Sequence, residues 1–244
     1  SDVAAIVVTG SGRAFCAGMD LSSEGNVFGL DESQRPTMDD LVHRLDEPAI
    51  LDGVRDTGGR VTLAVYRCTK PVIAAINGPA VGIGATMTLP MDVRIASENA
   101  RIGFVFGRLG IVPEACSTWF LPRIVGISRA LEMAYSAEIL DAQQALAAGL
   151  VREVVAPDDL LPTAYALAHR FVDGRSPVAT ALMRQMLYRN SAQPDPLAAH
   201  QVESLAMFYS SIGDGKEGVA AFLGKRPADF TGTVPEDLPP FYPW

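Results

Sequence analysis

The sequence predicts an α/β layer fold with a helical C-terminal region, and three observations carry that prediction. Two apolar runs, Val-Ala-Ala-Ile-Val-Val over residues 3–8 and Val-Ile-Ala-Ala-Ile over residues 72–76, are bounded by glycine clusters. That is the pattern of strands covered on both faces. These runs alternate with stretches of helical character, as layered structures with parallel strands require. Beyond residue 113 the strand signals give way to helix starts with readable caps.

Taken in order, the first strand ends at Thr9-Gly10-Ser11-Gly12. Residues 22–48 hold Gly25, Gly29, Pro36 and Pro48 among polar side chains, so a surface loop with one short helix over 38–45 is expected. Residues 50–68 read as helix, weakened in the middle by Gly58-Gly59. After the strand 72–76 a glycine-rich turn runs from Asn77 to Gly84. A short apolar helix over 85–89 and strands over 92–97 and 101–105 follow. Asp141 with Gln144, and Asp214 with Glu217, are spaced as capping boxes. Ser176-Pro177 and Asp195-Pro196 place a cap residue before proline at the first helical position. The organisation expected is a core over 1–190 and a helical region over 191–244.

Composition narrows the function classes. The chain has 244 residues, 48% hydrophobic and 20% charged, which excludes a disordered chain. Its net charge of −8 repels a phosphate backbone, so no nucleic-acid partner is expected. No apolar run approaches the ~18 residues of a membrane span, and no signal peptide is visible. Cys16, Cys68 and Cys116 are widely spaced and odd in number, which fits a reducing cytoplasm. His43, His169 and His200 are scattered, so no metal site is expected.

Three stretches at strand-to-helix junctions stand where α/β proteins place ligands: residues 10–20, residues 77–84, and Gly110-Ile111-Val112-Pro113-Glu114. Two glycine-rich turns that converge can aim two backbone N–H groups at one oxygen and stabilise an oxyanion. The plainer reading is two tight turns that serve packing alone. Glu114, read by position, is a carboxylate at the start of a helix over 115–121, favoured by the helix dipole. Dinucleotide binding fits poorly, because the turns at Gly10-Ser11-Gly12 and Gly82-Ile83-Gly84 both lack the third glycine.

Together, Phe15-Cys16-Ala17-Gly18-Met19-Asp20-Leu21, residues 70–82 from Lys70-Pro71 to Val81-Gly82, residues 92–97, Gly110 to Glu114, Leu121-Pro122-Arg123-Ile124-Val125-Gly126 and residues 142–151 resemble the crotonase superfamily. This is the family of enoyl-CoA hydratases and isomerases, and the resemblance covers about residues 3–230. It implies a ββα spiral with a helical C-terminal region used in oligomerisation and in covering the CoA. It implies an acyl-CoA substrate, no cofactor beyond the coenzyme A of that substrate, and a homotrimer or a hexamer formed as a dimer of trimers. Family members usually carry an earlier β-rich segment, so a natural amino end before Ser1 is expected.

The resemblance also assigns a site. The N–H groups of Met19 and Ile83 would hold the thioester oxygen. Ala17, Gly18, Asp20, Leu21, Gly82, Phe106, Pro113, Trp119 and Lys225 would contact substrate or CoA, with Asp20 closing its own loop. Hydratases of the family typically carry glutamates where this chain has Thr86 and Phe106. Glu114 instead resembles the single base of peroxisomal-type Δ3,Δ2-enoyl-CoA isomerases, taking a proton from C2 and returning it at C4. Phe104, Phe106, Trp119 and Phe120 are expected to desolvate Glu114 and raise its pKa. Arg13, Lys225 and Arg226 are candidates for the CoA phosphates, against the plain reading of solvated helix ends. Cys16 and Cys116 are expected to be small buried hydrophobes. The expected reaction is double-bond isomerisation of an enoyl-CoA in fatty-acid or related acyl-CoA metabolism. The alternatives are hydration, a non-catalytic acyl-CoA-binding module, and a nicotinamide-dependent oxidoreductase.

Overall fold

A computed structural model describes residues 3–22 and 24–244. Ser1, Asp2 and Ser23, the last inside the 22–48 loop, lie outside the described residues. The chain begins with strand β1 (Ile6–Thr9), followed by helices α1 (Met38–His43), α2 (Pro48–Gly53) and α3 (Thr57–Arg67). Next come β2 (Val72–Ile76), β3 (Pro79–Val81), α4 (Ile83–Thr86), β4 (Val93–Ser97) and β5 (Arg101–Gly103). Helices α5 (Ser117–Val125) and α6 (Ile127–Ser136), β6 (Ile139–Asp141), α7 (Ala142–Ala147) and β7 (Glu153–Val155) complete the middle of the chain. Helices α8 (Leu160–Val172), α9 (Pro177–Asn190), α10 (Pro196–Ile212) and α11 (Asp214–Leu223) end it.

One sheet has the order β1-β2-β4-β7 and a second the order β3-β5-β6. Strands β4 and β7 pair in parallel, with Ala96 opposite Val154. So do β3 and β5, with Ala80 opposite Ile102, while β5 and β6 run antiparallel. Every residue of β2 is buried, as its unbroken apolar sequence predicts. Its two isoleucines each contribute about 1.5–3 kcal/mol by leaving water.

By compactness the chain divides into two units. One comprises Thr9–Tyr66 and Ala74–Leu160, with a core of Ile76, Ala80, Leu89, Met91, Ile95 and Ile102. Arg94 staples this unit internally, donating from Nε to the Leu150 carbonyl (2.8 Å) and from Nη1 to the Met91 carbonyl (2.8 Å). The other unit takes in the segment ending at Val8, Arg67–Ile73 and Leu161–Trp244. There Arg184 and Gln185 of α9 both donate to the Cys68 carbonyl, at 2.6 and 2.9 Å.

Several elements differ from the sequence expectation. Strand β1 is only half-covered, because it lies at the edge of its sheet. The helix expected over 50–68 is two helices that part at 54–56, ahead of Gly58-Gly59 rather than at it. Asp56 makes the break, its Oδ1 accepting the Gly59 N–H at 2.6 Å as a helix N-cap does. Helix α4 starts at Ile83, two residues early. Residues 105–109 form a 3-10 turn rather than the end of a strand. Strands β3, β6 and β7 were not expected; each is three residues long, too short to display a period.

The caps are mostly as read. Asp141 and Gln144 form a reciprocal capping box, and Ser176 and Asp195 accept from Ala179 and Leu197. Asp214 departs from expectation. It is the first residue of α11 and Gly213 is the cap, leaving the Asp214 carboxylate to accept the Gly232 N–H at 3.2 Å.

Candidate active site

The two glycine turns are joined by one side chain. Asn77 accepts the Gly10 N–H on Oδ1 (3.0 Å) and donates from Nδ2 to the carbonyls of Gly12 (3.0 Å) and Ala14 (3.3 Å). The backbone adds to this clamp. Phe15 and Cys16 N–H groups donate to the Pro79 carbonyl, and Val81 N–H donates to the Cys16 carbonyl. Gly84 permits the approach, since a Cβ there would lie 1.9 Å from the Cys16 carbonyl oxygen. No side chain fits at that distance.

This brings the residues expected to hold an oxyanion to one place. Gly18, just before Met19, packs against the Val81 carbonyl, and Gly82, with φ of +58°, precedes Ile83 at the start of α4. Among the described residues neither the Met19 nor the Ile83 N–H has a hydrogen-bond partner. Two unpaired backbone donors in the same neighbourhood are what an oxyanion site needs.

Glu114 faces this neighbourhood. Ala115 and Cys116 both adopt left-handed conformations, with φ of +56° and +55°, so helix α5 begins at Ser117 rather than at 115. The Glu114 carbonyl accepts both the N–H and the hydroxyl of Ser117. Its carboxylate turns the other way. Oε1 accepts the Thr86 hydroxyl at 2.5 Å, and Oε2 lies 1.8 Å from where a Gly58 Cβ would stand. The same point is 2.6 Å from Ile83 Cδ1 and 3.0 Å from Asp56 Oδ1. The carboxylate therefore sits between the starts of α3 and α4, and a stabilising role at the N-terminus of α5 does not apply.

Burial is the main reason the Glu114 carboxyl is pushed up to about 7; the Thr86 hydrogen bond opposes this and the Asp56 carboxylate adds to it. The Cys116 thiol is pushed up too, first by burial and then by the negative charges of Asp56 and Glu114. An aromatic cluster stands at α5, where Trp119 meets Phe120 edge-on with ring centroids 4.6 Å apart and both meet Tyr66 at 6.1 Å. Arg123 covers the Trp119 ring at 3.9 Å.

The other expected residues fall as follows. Ala17 and Gly18 are in the first turn. Asp20 closes its loop as expected, accepting the Ser22 N–H (2.9 Å) and hydroxyl (2.6 Å); the two bonds hold its carboxyl low. Met19 and Leu21 are about half exposed at 48% and 49%. Phe106 is buried within the 3-10 turn, and Pro113 and Trp119 are half-buried. Cys16 and Cys116 are also only half-buried. Their places follow from backbone roles, one bridging to Ala80 and the other capping α5.

Lys225 belongs to the other unit, exposed just after α11 with φ of +50°. Arg226 is committed to Glu217 through two hydrogen bonds of 2.6 and 2.8 Å. Sequence reasoning missed Asp56 and the orienting hydroxyl of Thr86. The signal for Asp56 was present as a cap residue ahead of a glycine pair.

Comparison with known proteins points one way. Residues 1–233 match the family model described as enoyl-CoA hydratase/isomerase. An enoyl-CoA hydratase of Alternaria alternata is 41% identical over 237 residues, covering 96% of this chain and 73% of the relative. A 1,2-epoxyphenylacetyl-CoA isomerase of Escherichia coli is 34% identical over 230 residues, 93% of this chain and 80% of that protein. Among solved structures, a putative enoyl-CoA hydratase from Streptomyces coelicolor superposes with a TM-score of 0.79 at 30% identity, covering 95% of this chain and 78% of its own.

Proposed function

The chain belongs to the enoyl-CoA hydratase/isomerase family of the crotonase superfamily, and from that premise we propose that it moves the double bond of an enoyl-CoA. The observation that carries this reading is a half-buried carboxylate, Glu114, raised to about 7 and oriented by a threonine, Thr86, at 2.5 Å. Where hydratases of the family carry their glutamates, this chain has Thr86 and Phe106.

In the proposed reaction the Glu114 carboxylate takes a proton from C2 of a 3-enoyl thioester. The electron pair of that C–H bond delocalises onto the thioester oxygen, where the unpaired N–H groups of Met19 and Ile83 would receive it. The same carboxyl, now an acid, returns the proton at C4, and the double bond comes to rest between C2 and C3. One residue serves as base and then acid, and such catalysis contributes about 10²–10⁴-fold. Main-chain donors suit the task because they are positioned before the charge develops.

Hydration is the second reading, and Asp56 favours it, since a second carboxylate beside Glu114 supplies a partner for positioning water. Parallel assays separate the two: 3-enoyl to 2-enoyl conversion, and 2-enoyl to 3-hydroxyacyl conversion. Turnover only in the second assay would replace isomerisation with hydration. A Glu114→Gln variant that keeps full rate in both would remove Glu114 from either mechanism.

Arg13 and, separately, Lys225 are our candidates for the CoA phosphates, since neither makes an ion pair among the described residues, whereas Arg226 is committed to Glu217. Family resemblance, and no contact, supports each of them. A trimer or dimer of trimers is supported by apolar side chains exposed on α10 and α11, including Met207, Phe208, Val219 and Phe222. No described helix is long and apolar enough to cross a membrane. The three free cysteines support a cytoplasmic location.

A further inference from the structure

Resting on the acid/base role of Glu114, we propose that Asp56 is its positioning residue, receiving the Glu114 carboxyl proton in a hydrogen bond and holding the acid form for the second half of the reaction. Asp56 Oδ1 and Glu114 Oε2 crowd the same point beside Gly58, at 3.0 and 1.8 Å from where its Cβ would stand. Asp56 cannot turn away easily. Its Oδ1 is bound by the Gly59 N–H at 2.6 Å, and its Oδ2 is 2.5 Å from where a Gly59 Cβ would stand. Two successive residues without side chains thus leave the room that the two carboxyl groups fill.

The Glu114 carboxyl is divided between two neighbours of opposite kind. Oε1 receives a hydroxyl proton from Thr86, which favours the charged form. Oε2 faces a carboxylate that can only accept, which favours the protonated form. The Asp56 charge adds to the rise at Glu114, so the protonation of Glu114 registers at its neighbour. Among the other neighbours, Arg55, ahead of α3, is paired with Asp46 at 3.0 Å, the turn before α5 presents the Cys116 thiol, and Ile83 of α4 is apolar, so Thr86 is the neighbour that opposes Asp56.

During isomerisation the arrangement has a specific use. Once Glu114 has taken the C2 proton, its O–H donates to Asp56, and the proton stays on the enzyme while the enolate exists. The negative charge of Asp56 also makes Glu114 a stronger base than burial alone would.

The test reads the carboxyl groups directly in the intact chain, labelled with 13C at the side-chain carboxyls of aspartate and glutamate. Glu114→Gln identifies the Glu114 resonance. In the unsubstituted protein the Asp56 resonance is expected to shift near pH 7 together with that of Glu114. Asp56→Asn and Asp56→Ser both keep an acceptor for the Gly59 N–H and remove the charge. Each is expected to lower the Glu114 midpoint by about one pH unit or more and to carry the acid limb of kcat/KM with it.

An Asp56 resonance indifferent to pH near 7, or a Glu114 midpoint unmoved in folded variants, overturns the proposal. A cap that is merely structural would alter melting temperature and leave both titrations in place. Failure of the underlying mechanism looks different: the resonances still move together, while the rate profile of every enoyl thioester ignores them.

Discussion

Thr86 donates a 2.5 Å hydrogen bond to Oε1 of Glu114 across 28 residues of sequence. The bond ties the helix after the second glycine turn to the turn that precedes α5. Thr86 is fully buried, so its hydroxyl has no water to fall back on. Its hydroxyl favours the ionised carboxylate and opposes the effect of burial.

Replacing Thr86 by valine removes that donor at nearly constant volume. The Glu114 midpoint is expected to rise above about 7, moving the acid limb of kcat/KM to higher pH. Removing this part-buried hydrogen bond costs about 1 kcal/mol, which a urea denaturation curve will register. An acid limb that moves down in pH would contradict this account.

The raised Glu114 carboxyl also makes folding depend on pH. Between its ordinary value of 4.5 and about 7, the folded chain binds this proton and the unfolded chain does not. The contribution of this group therefore falls as pH rises through that window. Below the window both states are protonated and the dependence vanishes. Glu114→Gln is expected to flatten this segment of the stability curve and to exceed the parent protein in stability above pH 7. Denaturant midpoints at a series of pH values provide the comparison.

Gly58→Ala and Gly84→Ala separate catalysis from folding. A methyl on Gly58 would strike Glu114 Oε2 at 1.8 Å and Ile83 Cδ1 at 2.6 Å, both at the ends of flexible side chains. The chain should fold while turnover falls by about 10²-fold, as misplacement of a catalytic group by about 1 Å does. A methyl on Gly84 would meet the Cys16 carbonyl oxygen at 1.9 Å, which only a backbone shift relieves. That variant should lose several degrees in melting temperature. The reverse pattern would show that the carboxylate tolerates displacement.

Asn77→Ala removes four hydrogen bonds, from Thr9 and Gly10 and to Gly12 and Ala14. The Gly10 N–H loses its partner, at about 1–3 kcal/mol. With the turns untethered, kcat should fall along with stability, because the oxyanion donors lose their fixed spacing. A variant with lower stability and unchanged kcat would show that other contacts set the spacing.

The sequence revealed the elements whose signals are local. The unbroken apolar run of β2, the Asp141–Gln144 capping box and the Asp20 loop closure each depend on residues within a few positions. The family motifs likewise pointed to Glu114 as the carboxylate of interest. Strands β3, β6 and β7 escaped because three residues hold no period. The left-handed pair Ala115–Cys116 escaped because neither residue type prefers that conformation. Asp56 escaped for a different reason. Its local signature is a helix cap, and only tertiary structure sets it beside a carboxyl from the turn that precedes α5.

That left-handed pair bears on how such a site diverges. Ala115 and Cys116 lift Glu114 out of any helical register or strand pleat, so position 114 is answerable to no periodic element. A different side chain there would arrive at the same spot between Thr86 and Gly58 without disturbing a core. The oxyanion donors are equally indifferent to side-chain identity, being main-chain groups. In a lineage built on this scaffold, the reaction type can change by substitution at a few positions such as 86, 106 and 114, while the architecture is inherited unaltered.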